Sequence, residues 1–124
     1  MSDALSSLRM AIQIVSAPVP LGDLRRLAEG QFGEFVKAVV DISRGIMAVG
    51  GELHADEEAV LLQDGARQTD LWGINLYPDL PTSDFIEFDS MINVRPSQGN
   101  RSRGIEDATV RRQIEDVVAR LVAR

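Results

Sequence analysis

The strongest pattern in the sequence is an apolar stripe near the carboxyl end of the chain. Apolar residues recur there at helical spacing and form one continuous face: Val110, Ile114, Val117, Val118, Leu121 and Val122. Asp107 stands just before the stripe, where a carboxylate can cap the first helical turn. A helix with one wide apolar face must bury it against another layer of structure, so this chain requires a sheet or further helices.

Shorter patterns earlier in the sequence predict the elements of that layer. Helical spacing predicts two more helices, over residues 21–29 and about 55–64. Alternating or compact apolar runs predict five strands, over residues 12–15, 35–42, 46–49, 71–77 and 84–95. The order β-α-β-β-α-β-β-α indicates an α+β fold, with a mostly antiparallel sheet and helices packed on one face. Its first six elements follow the ferredoxin-like plan, to which a strand and a helix are added.

The length of 124 residues fits one domain. We interpret residues 1–10 as a flexible tail and residues 11–124 as a single α+β domain. The chain has no cysteine, which excludes disulfides and thiolate chemistry. It lacks a long apolar run and a basic amino-terminal segment, so we predict neither a membrane span nor a signal peptide, and expect a cytoplasmic protein.

The charge is unevenly distributed along the chain. The formal net charge is −6, yet residues 95–124 hold seven arginines against four acidic residues. An acidic chain repels the phosphate backbone of nucleic acids, so we expect no nucleic-acid partner. The basic end is the region where a small anion would be attracted.

A polar stripe follows the predicted strand 84–95. If this strand pairs with strand 71–77 as a hairpin, Tyr77 lies opposite Phe85, Asn75 opposite Glu87 and Gly73 opposite Asp89. Asn93 and Arg95 would then share the same surface, and Gly73 would leave room above it. The stripe is either the solvated side of a two-layer sheet or an open face that holds a polar ligand. In the second case Glu87 or Asp89 would act as a base or as a metal ligand.

The loop after this strand is rich in groups that bind anions. Residues 95–104 carry three guanidinium groups, two primary amides and two glycines. Guanidinium groups grip carboxylate or phosphate at two points, although loops rich in glycine, asparagine and serine are also common without a ligand. The residues expected to bind a ligand in or beside this loop are Asn93, Arg95, Ser97, Gln98, Asn100, Arg101 and Arg103.

A third cluster surrounds the only histidine of the chain. In an extended segment Glu52, His54 and Asp56 would project from one side, an arrangement suited to a divalent metal or to acid–base catalysis by His54. Alternatively, His54 or Asp56 caps the helix that follows. No other cofactor motif is evident.

Three strings of the sequence together resemble an uncharacterised family of small bacterial and archaeal proteins, a domain of unknown function. The strings are GGELHAD at residues 50–56, DLWGINLYP at residues 70–78 and NVRPSQGNRS at residues 93–102. The likeness extends from about residue 12 to residue 121. It implies a compact prokaryotic protein and carries no activity, cofactor or catalytic residue.

Two hypotheses for function follow from these patterns. The first is a domain that binds a small phosphate- or carboxylate-bearing anion, with turnover by an enzyme as its extension. The second is a non-catalytic interaction protein that forms a homodimer through its sheet face or edge. Phe85 and Met91 would mark the centre of that interface, because they are apolar residues on the polar stripe.

Overall fold

The computed structural model describes residues 11–124, so the predicted tail at residues 1–10 lies outside the described part of the chain. Three α-helices are present in that part: α1 Leu21–Glu29, α2 His54–Gln63 and α3 Ala108–Leu121. The strands are β1 Gln13–Val15, β2 Val19–Pro20, β3 Val36–Asp41, β4 Ile46–Val49, β5 Leu71–Leu76, β6 Ile86–Glu87 and β7 Val122–Ala123. No helix within residues 11–124 is long and apolar enough to cross a membrane.

The main sheet has five strands in the order β1-β4-β3-β5-β6, and each pair of neighbouring strands is antiparallel. A second, two-stranded sheet pairs β2 with β7 in parallel. The fold is therefore mixed α+β with a mostly antiparallel sheet, as the sequence predicts. The predicted cap of α3 is also present, since the Asp107 carboxylate accepts a hydrogen bond of 2.8 Å from the Thr109 N–H.

The strand order departs from the ferredoxin-like plan at one point. β1, α1 and β3 form the expected split unit, with β4 inserted between two parallel strands. In the ferredoxin-like plan the next strand, β5, would lie beside β1, but here it pairs with β3. β4, α2 and β5 thus form a second split unit that advances across the sheet in the same direction as the first.

This arrangement places helices on both faces of the sheet, not on one face as expected. The second split unit starts from a strand antiparallel to β1, so a right-handed crossover carries α2 to the opposite face from α1. The side chains agree with this derivation. Val36, Ala38 and Val40 of β3 pack in one core with α1 and α3, whereas Val39 packs with Leu61 of α2 in a second core.

The fifth strand is much shorter than predicted. Regular strand structure covers only Ile86–Glu87, and 3-10 turns follow at Met91–Asn93 and Pro96–Gln98. The Ser90 hydroxyl accepts a hydrogen bond from the Ile92 N–H at the start of the first turn. The predicted alternation fails as a result. Phe85, expected on the polar stripe, is 2% exposed, whereas Val94, which alternation places on the opposite side from Asn93 and Arg95, is 36% exposed.

Candidate functional site

The second face of the sheet is only partly covered. α2 and the segment 88–104 cover the part of this face that contains the buried residues Val39 and Leu71. Next to the first turn of α2, polar side chains form a row across three strands of this face. Lys37 of β3 pairs with Asn75 of β5, and Asn75 pairs with Glu87 of β6. The pairing of Asn75 with Glu87 confirms that pair of the predicted hairpin, whereas Gly73 does not pair with Asp89 because β6 ends at Glu87.

One carboxylate ties this row together. The Glu87 carboxylate accepts hydrogen bonds of 2.9 Å from the Asn75 amide and 3.0 Å from the Tyr77 hydroxyl. Burial and the hydrogen bond to Glu87 raise the pKa of Tyr77, so its hydroxyl stays protonated and donates. Three predicted site residues therefore lie together on the same surface.

His54, the first residue of α2, contacts β5 beside this row of polar side chains. Its Nε2 lies 2.8 Å from the Ile74 carbonyl oxygen. A carbonyl only accepts, so Nε2 carries the proton, and in the neutral ring the basic lone pair is on Nδ1. Burial lowers the pKa of His54, and the charge of Lys37 lowers it further. The hydrogen bond to Ile74, the charge of Asp89 and hydrogen bonding by Asn75 act in the opposite direction, and the net shift favours the neutral imidazole.

A pocket of about 200 Å³ opens between the start of α2, the sheet and the segment 88–104. Its lining residues are Lys37, Leu53, His54, Ala55, Ser90, Met91, Ile92 and Arg103. The only lysine and the only histidine of the chain thus line the same pocket. Arg103 is held at the pocket by an ion pair of 2.6 Å between its Nε and the Asp89 carboxylate.

Lys37 was not among the predicted site residues. A signal was present in the sequence, because a single lysine among twelve arginines stands on the polar side of an otherwise apolar strand. Among the ion pairs of residues 11–124, none involves Lys37. Its ammonium instead lies 5.0 Å from the centroid of the Phe32 ring.

The first turn of α2 also contributes to the pocket. The residue at the cap position is Leu53, which offers no side-chain hydrogen bond to the helix. The positive end of the helix dipole therefore has no capping side chain, and the acidic residues of the first turn are Asp56 and Glu57.

Glu57, one turn into α2, is completely buried, a feature the sequence did not reveal. Its Oε2 accepts a hydrogen bond of 3.0 Å from the Gly51 N–H, while Oε1 has no partner within residues 11–124. Burial raises the pKa of Glu57 well above its usual value; the Gly51 hydrogen bond and the charge of Lys37 oppose the rise.

The part of the chain that the structure describes matches a known family model. The model is titled "Protein of unknown function (DUF5674)" and covers residues 13–121. The chain belongs to this family. No curated protein and no solved structure matches it.

The three strings that carry the family resemblance meet at β5. The first ends at the start of α2, where His54 contacts the Ile74 carbonyl of the second string. Asn93, in the third string, hydrogen-bonds the backbone of Gly73. The family match confirms the uncharacterised family predicted from the sequence. The three strings form one contiguous region of the structure.

Two residues of the predicted anion loop are turned into the protein. The Asn93 amide bonds both backbone groups of Gly73 and the Arg103 carbonyl. The Arg95 guanidinium donates to the carbonyls of Ile92, Gln68 and Leu71 and lies 3.4 Å from the Glu58 carboxylate. Neither side chain lines the pocket, and the space expected above Gly73 is filled by Ser90 and Ile92.

The other loop residues are also separate from the pocket, apart from Arg103. Asn100 is buried, and its amide donates to the carbonyls of Asn93 and Gly104. Ser97, Gln98 and Arg101 are exposed. Gln98 and Asn100 line a different pocket of about 200 Å³, beside Trp72.

The structure does not assemble the expected metal cluster. That expectation assumed an extended chain, but α2 begins at His54, so Glu52 and Asp56 do not share a strand face with it. Within residues 11–124, no group of three or more histidine, aspartate or glutamate side chains is placed to hold a metal ion.

Of the two apolar residues expected at the centre of a homodimer interface, only Met91 is exposed. Phe85 packs in the main core, contrary to its predicted place on the polar stripe, because the chain leaves the extended conformation there. Met91 alone remains exposed and lines the pocket.

Proposed function

We propose that the pocket beside α2 binds a small anionic ligand that carries a phosphate or carboxylate group. The observation that supports this most directly is the presence of Lys37 and Arg103 in the lining of one small pocket. The uncapped first turn of α2 adds backbone N–H groups and the positive end of a dipole, the usual setting for an anion at a helix start.

The two cations differ in how freely they can engage a ligand. Arg103 already pairs with Asp89, whereas the ammonium of Lys37 lies over the Phe32 ring and has no ion pair within residues 11–124. An anion can thus pair with Lys37 without breaking an existing ion pair. A hydrogen bond to a charged group is worth about 1.5–3 kcal/mol, so Lys37 would supply much of the affinity.

Turnover of the bound anion is the extension of this proposal. Of the three predicted catalytic residues, Glu87 is engaged by Asn75 and Tyr77, and Asp89 is engaged by Arg103. His54 is the best candidate for a base, since its Nε2 is anchored and its lone pair lies on Nδ1. We also propose that the protein is prokaryotic and cytoplasmic and that it has no nucleic-acid partner.

Isothermal titration with phosphate, sulfate and a panel of small carboxylates and organic phosphates tests the proposal. We expect at least one of these anions to bind, and Lys37→Gln to weaken its binding by about tenfold or more. Arg112→Gln, which removes an exposed cation from the outer side of α3, is the matched control and should bind as the wild type does. Equal binding by Lys37→Gln, or no binding across the panel, would overturn the proposal.

A further inference from the structure

We infer that the ligand is an amphipathic organic anion, with its acid group bound by Lys37 and Arg103 and a compact apolar body held by Leu53 and Met91. The inference rests on the proposed function of the same pocket and adds the class of ligand. It distinguishes this pocket from a site for inorganic phosphate or sulfate.

The first support is where the exposed apolar surface lies. Met91 is 64% exposed and Leu53 is 55% exposed, the two highest values among the large apolar side chains of residues 11–124. Both line this pocket, and Ala55 and Ile92 complete its apolar walls. Binding pockets for organic molecules typically combine apolar walls with a few polar groups that fix orientation.

The second support is the identity of the residue at the start of α2. Serine, threonine, aspartate or asparagine at this position would stabilise the helix by about 1 kcal/mol through a capping hydrogen bond. Leu53 provides no such bond, and it is too exposed to contribute fully to the core. A ligand that covers its side chain gives this leucine a physical role that the protein alone does not.

The third support is the apolar surface on the other side of the cation. The Phe32 ring stacks on Phe35 at a centroid distance of 4.8 Å, and the Lys37 ammonium lies over Phe32. Lys37 therefore stands between the aromatic pair and the pocket lined by Leu53 and Met91. An inorganic anion would use the charge and leave these apolar surfaces in water, whereas an aryl or short alkyl acid would cover part of them.

The size of the pocket limits the apolar body. A volume of about 200 Å³ is below the range of typical drug-sized sites, which begins at about 300 Å³. A single ring or a short branched chain fits this volume, while a long lipid tail does not. Methionine adapts its shape to different partners, so Met91 can close over bodies of slightly different outline.

The experiment compares phenyl phosphate with inorganic phosphate, and benzoate with acetate, by isothermal titration. We expect the aryl probe of at least one pair to bind about tenfold or more tightly than its partner, from the apolar area covered. The double variant L53A/M91A should lose this preference and keep the affinity for the small anion, because both side chains are exposed, alanine adds no capping group to α2 and the cations remain. Leu80→Ala, at an exposed leucine that does not line the pocket, is the control and should keep the preference.

The outcomes separate the inference from the proposed function. Equal affinity for both members of each pair, with sensitivity to Lys37→Gln, overturns the amphipathic ligand and keeps the anion site. Absence of binding by all four probes overturns the inference, and the broader anion panel then decides the proposed function. Light scattering on the wild type and the double variant is the second measurement. A dimer that only the wild type forms would assign Leu53 and Met91 to a contact between copies and overturn the inference.

Discussion

The side-chain amide of Asn93 hydrogen-bonds both backbone groups of Gly73, with Oδ1 2.8 Å from the Gly73 nitrogen and Nδ2 2.9 Å from the Gly73 oxygen. β6 ends at Glu87, so no strand is available to pair with β5 at this position. The amide of Asn93 has the same donor and acceptor as a peptide group and takes the place of the missing strand. Arg95 continues the replacement by donating to the Leu71 carbonyl.

This pairing predicts a large loss of stability in Asn93→Ala. The substitution leaves the N–H and the carbonyl of Gly73 buried without partners, and we expect the free energy of unfolding to fall by about 2–4 kcal/mol. Urea denaturation followed by circular dichroism measures the change. Ser97→Ala, an exposed control in the same loop, should change stability by less than about 0.5 kcal/mol. A similar small change in Asn93→Ala would contradict the structural role of its amide.

Gly73 should tolerate no side chain. A Cβ at this position would lie 2.5 Å from the Ser90 Cβ, so Gly73→Ala is expected to destabilise the fold by about 1–3 kcal/mol. Removing the opposing Cβ provides the matched test. In the double variant G73A/S90G the clash is relieved, and the two changes should cost less together than the sum of the single changes in thermal or urea unfolding. Strict additivity would show that the contact does not limit this position.

Glu57 should make the stability depend on pH in a defined direction. Its pKa in the folded state is raised above the value of 4.5 expected for the unfolded chain, so folding favours the protonated carboxyl. The corresponding stability is fully present below pH 4.5 and is lost as the pH rises through the folded pKa. Glu57→Gln keeps the shape without the charge, and its stability relative to wild type should increase as the pH rises.

Urea denaturation at a series of pH values between about 4 and 8 measures this difference. Glu52→Gln, an exposed glutamate just before α2, is the control and should follow the wild type across the series. If the wild type and Glu57→Gln lose stability in parallel, Glu57 is not protonated in the folded protein.

His54 can be observed directly because it is the only histidine. A proton NMR titration of its ring should give a pKa below 6.5, since burial and the nearby Lys37 disfavour the imidazolium. Nitrogen chemical shifts should report the proton on Nε2, as the hydrogen bond to Ile74 requires. Lys37→Gln removes the positive charge that lowers the pKa, so the pKa of His54 should rise. An unshifted pKa in the wild type would indicate that the ring is hydrated.

The single lysine provides a chemical test of ligand contact. Amine-reactive acylation modifies one lysine side chain in this chain, and peptide mass spectrometry measures its extent. We expect phenyl phosphate to slow acylation of Lys37, because an anion bound at the ammonium covers it and favours the unreactive protonated form. Benzyl alcohol, which has a similar ring without the charge, should give little protection. Equal rates with and without phenyl phosphate would place that anion elsewhere.

The sequence predicted those features that depend on short-range patterns. The apolar stripe that ends at Val122 and the cap at Asp107 define α3, and the pairing of Asn75 with Glu87 follows from the hairpin. The position of β5 beside β3 was not predicted, because the ferredoxin-like plan places this strand beside β1 and no local pattern in β5 specifies its neighbour. The placement of α2 on the opposite face depends on that choice, so it could not be predicted either.

The candidate site was predicted in part for a related reason. His54 and Arg103 line the pocket, Asp89 pairs with Arg103, and Tyr77 is hydrogen-bonded to Glu87 on the same sheet face. Alternation suggested that Asn93 and Arg95 belong to the same surface, but amide and guanidinium groups can equally replace backbone partners inside a protein. Nothing in the local sequence distinguishes these two uses of a polar side chain. Lys37 comes next to Asn75 only through pairing between distant strands.

The side chains that complete the outer edge of β5 also leave few backbone groups there for another chain to pair with. An unpaired strand edge is a template on which another chain can add, and exposed edges are a common origin of aggregates. Asn93 and Arg95 occupy the hydrogen-bonding groups of Gly73 and Leu71 without offering a new row of their own. Extension of the sheet by another molecule is thereby confined to the two residues of β6 on this side, so a loop that looks irregular keeps the sheet finite.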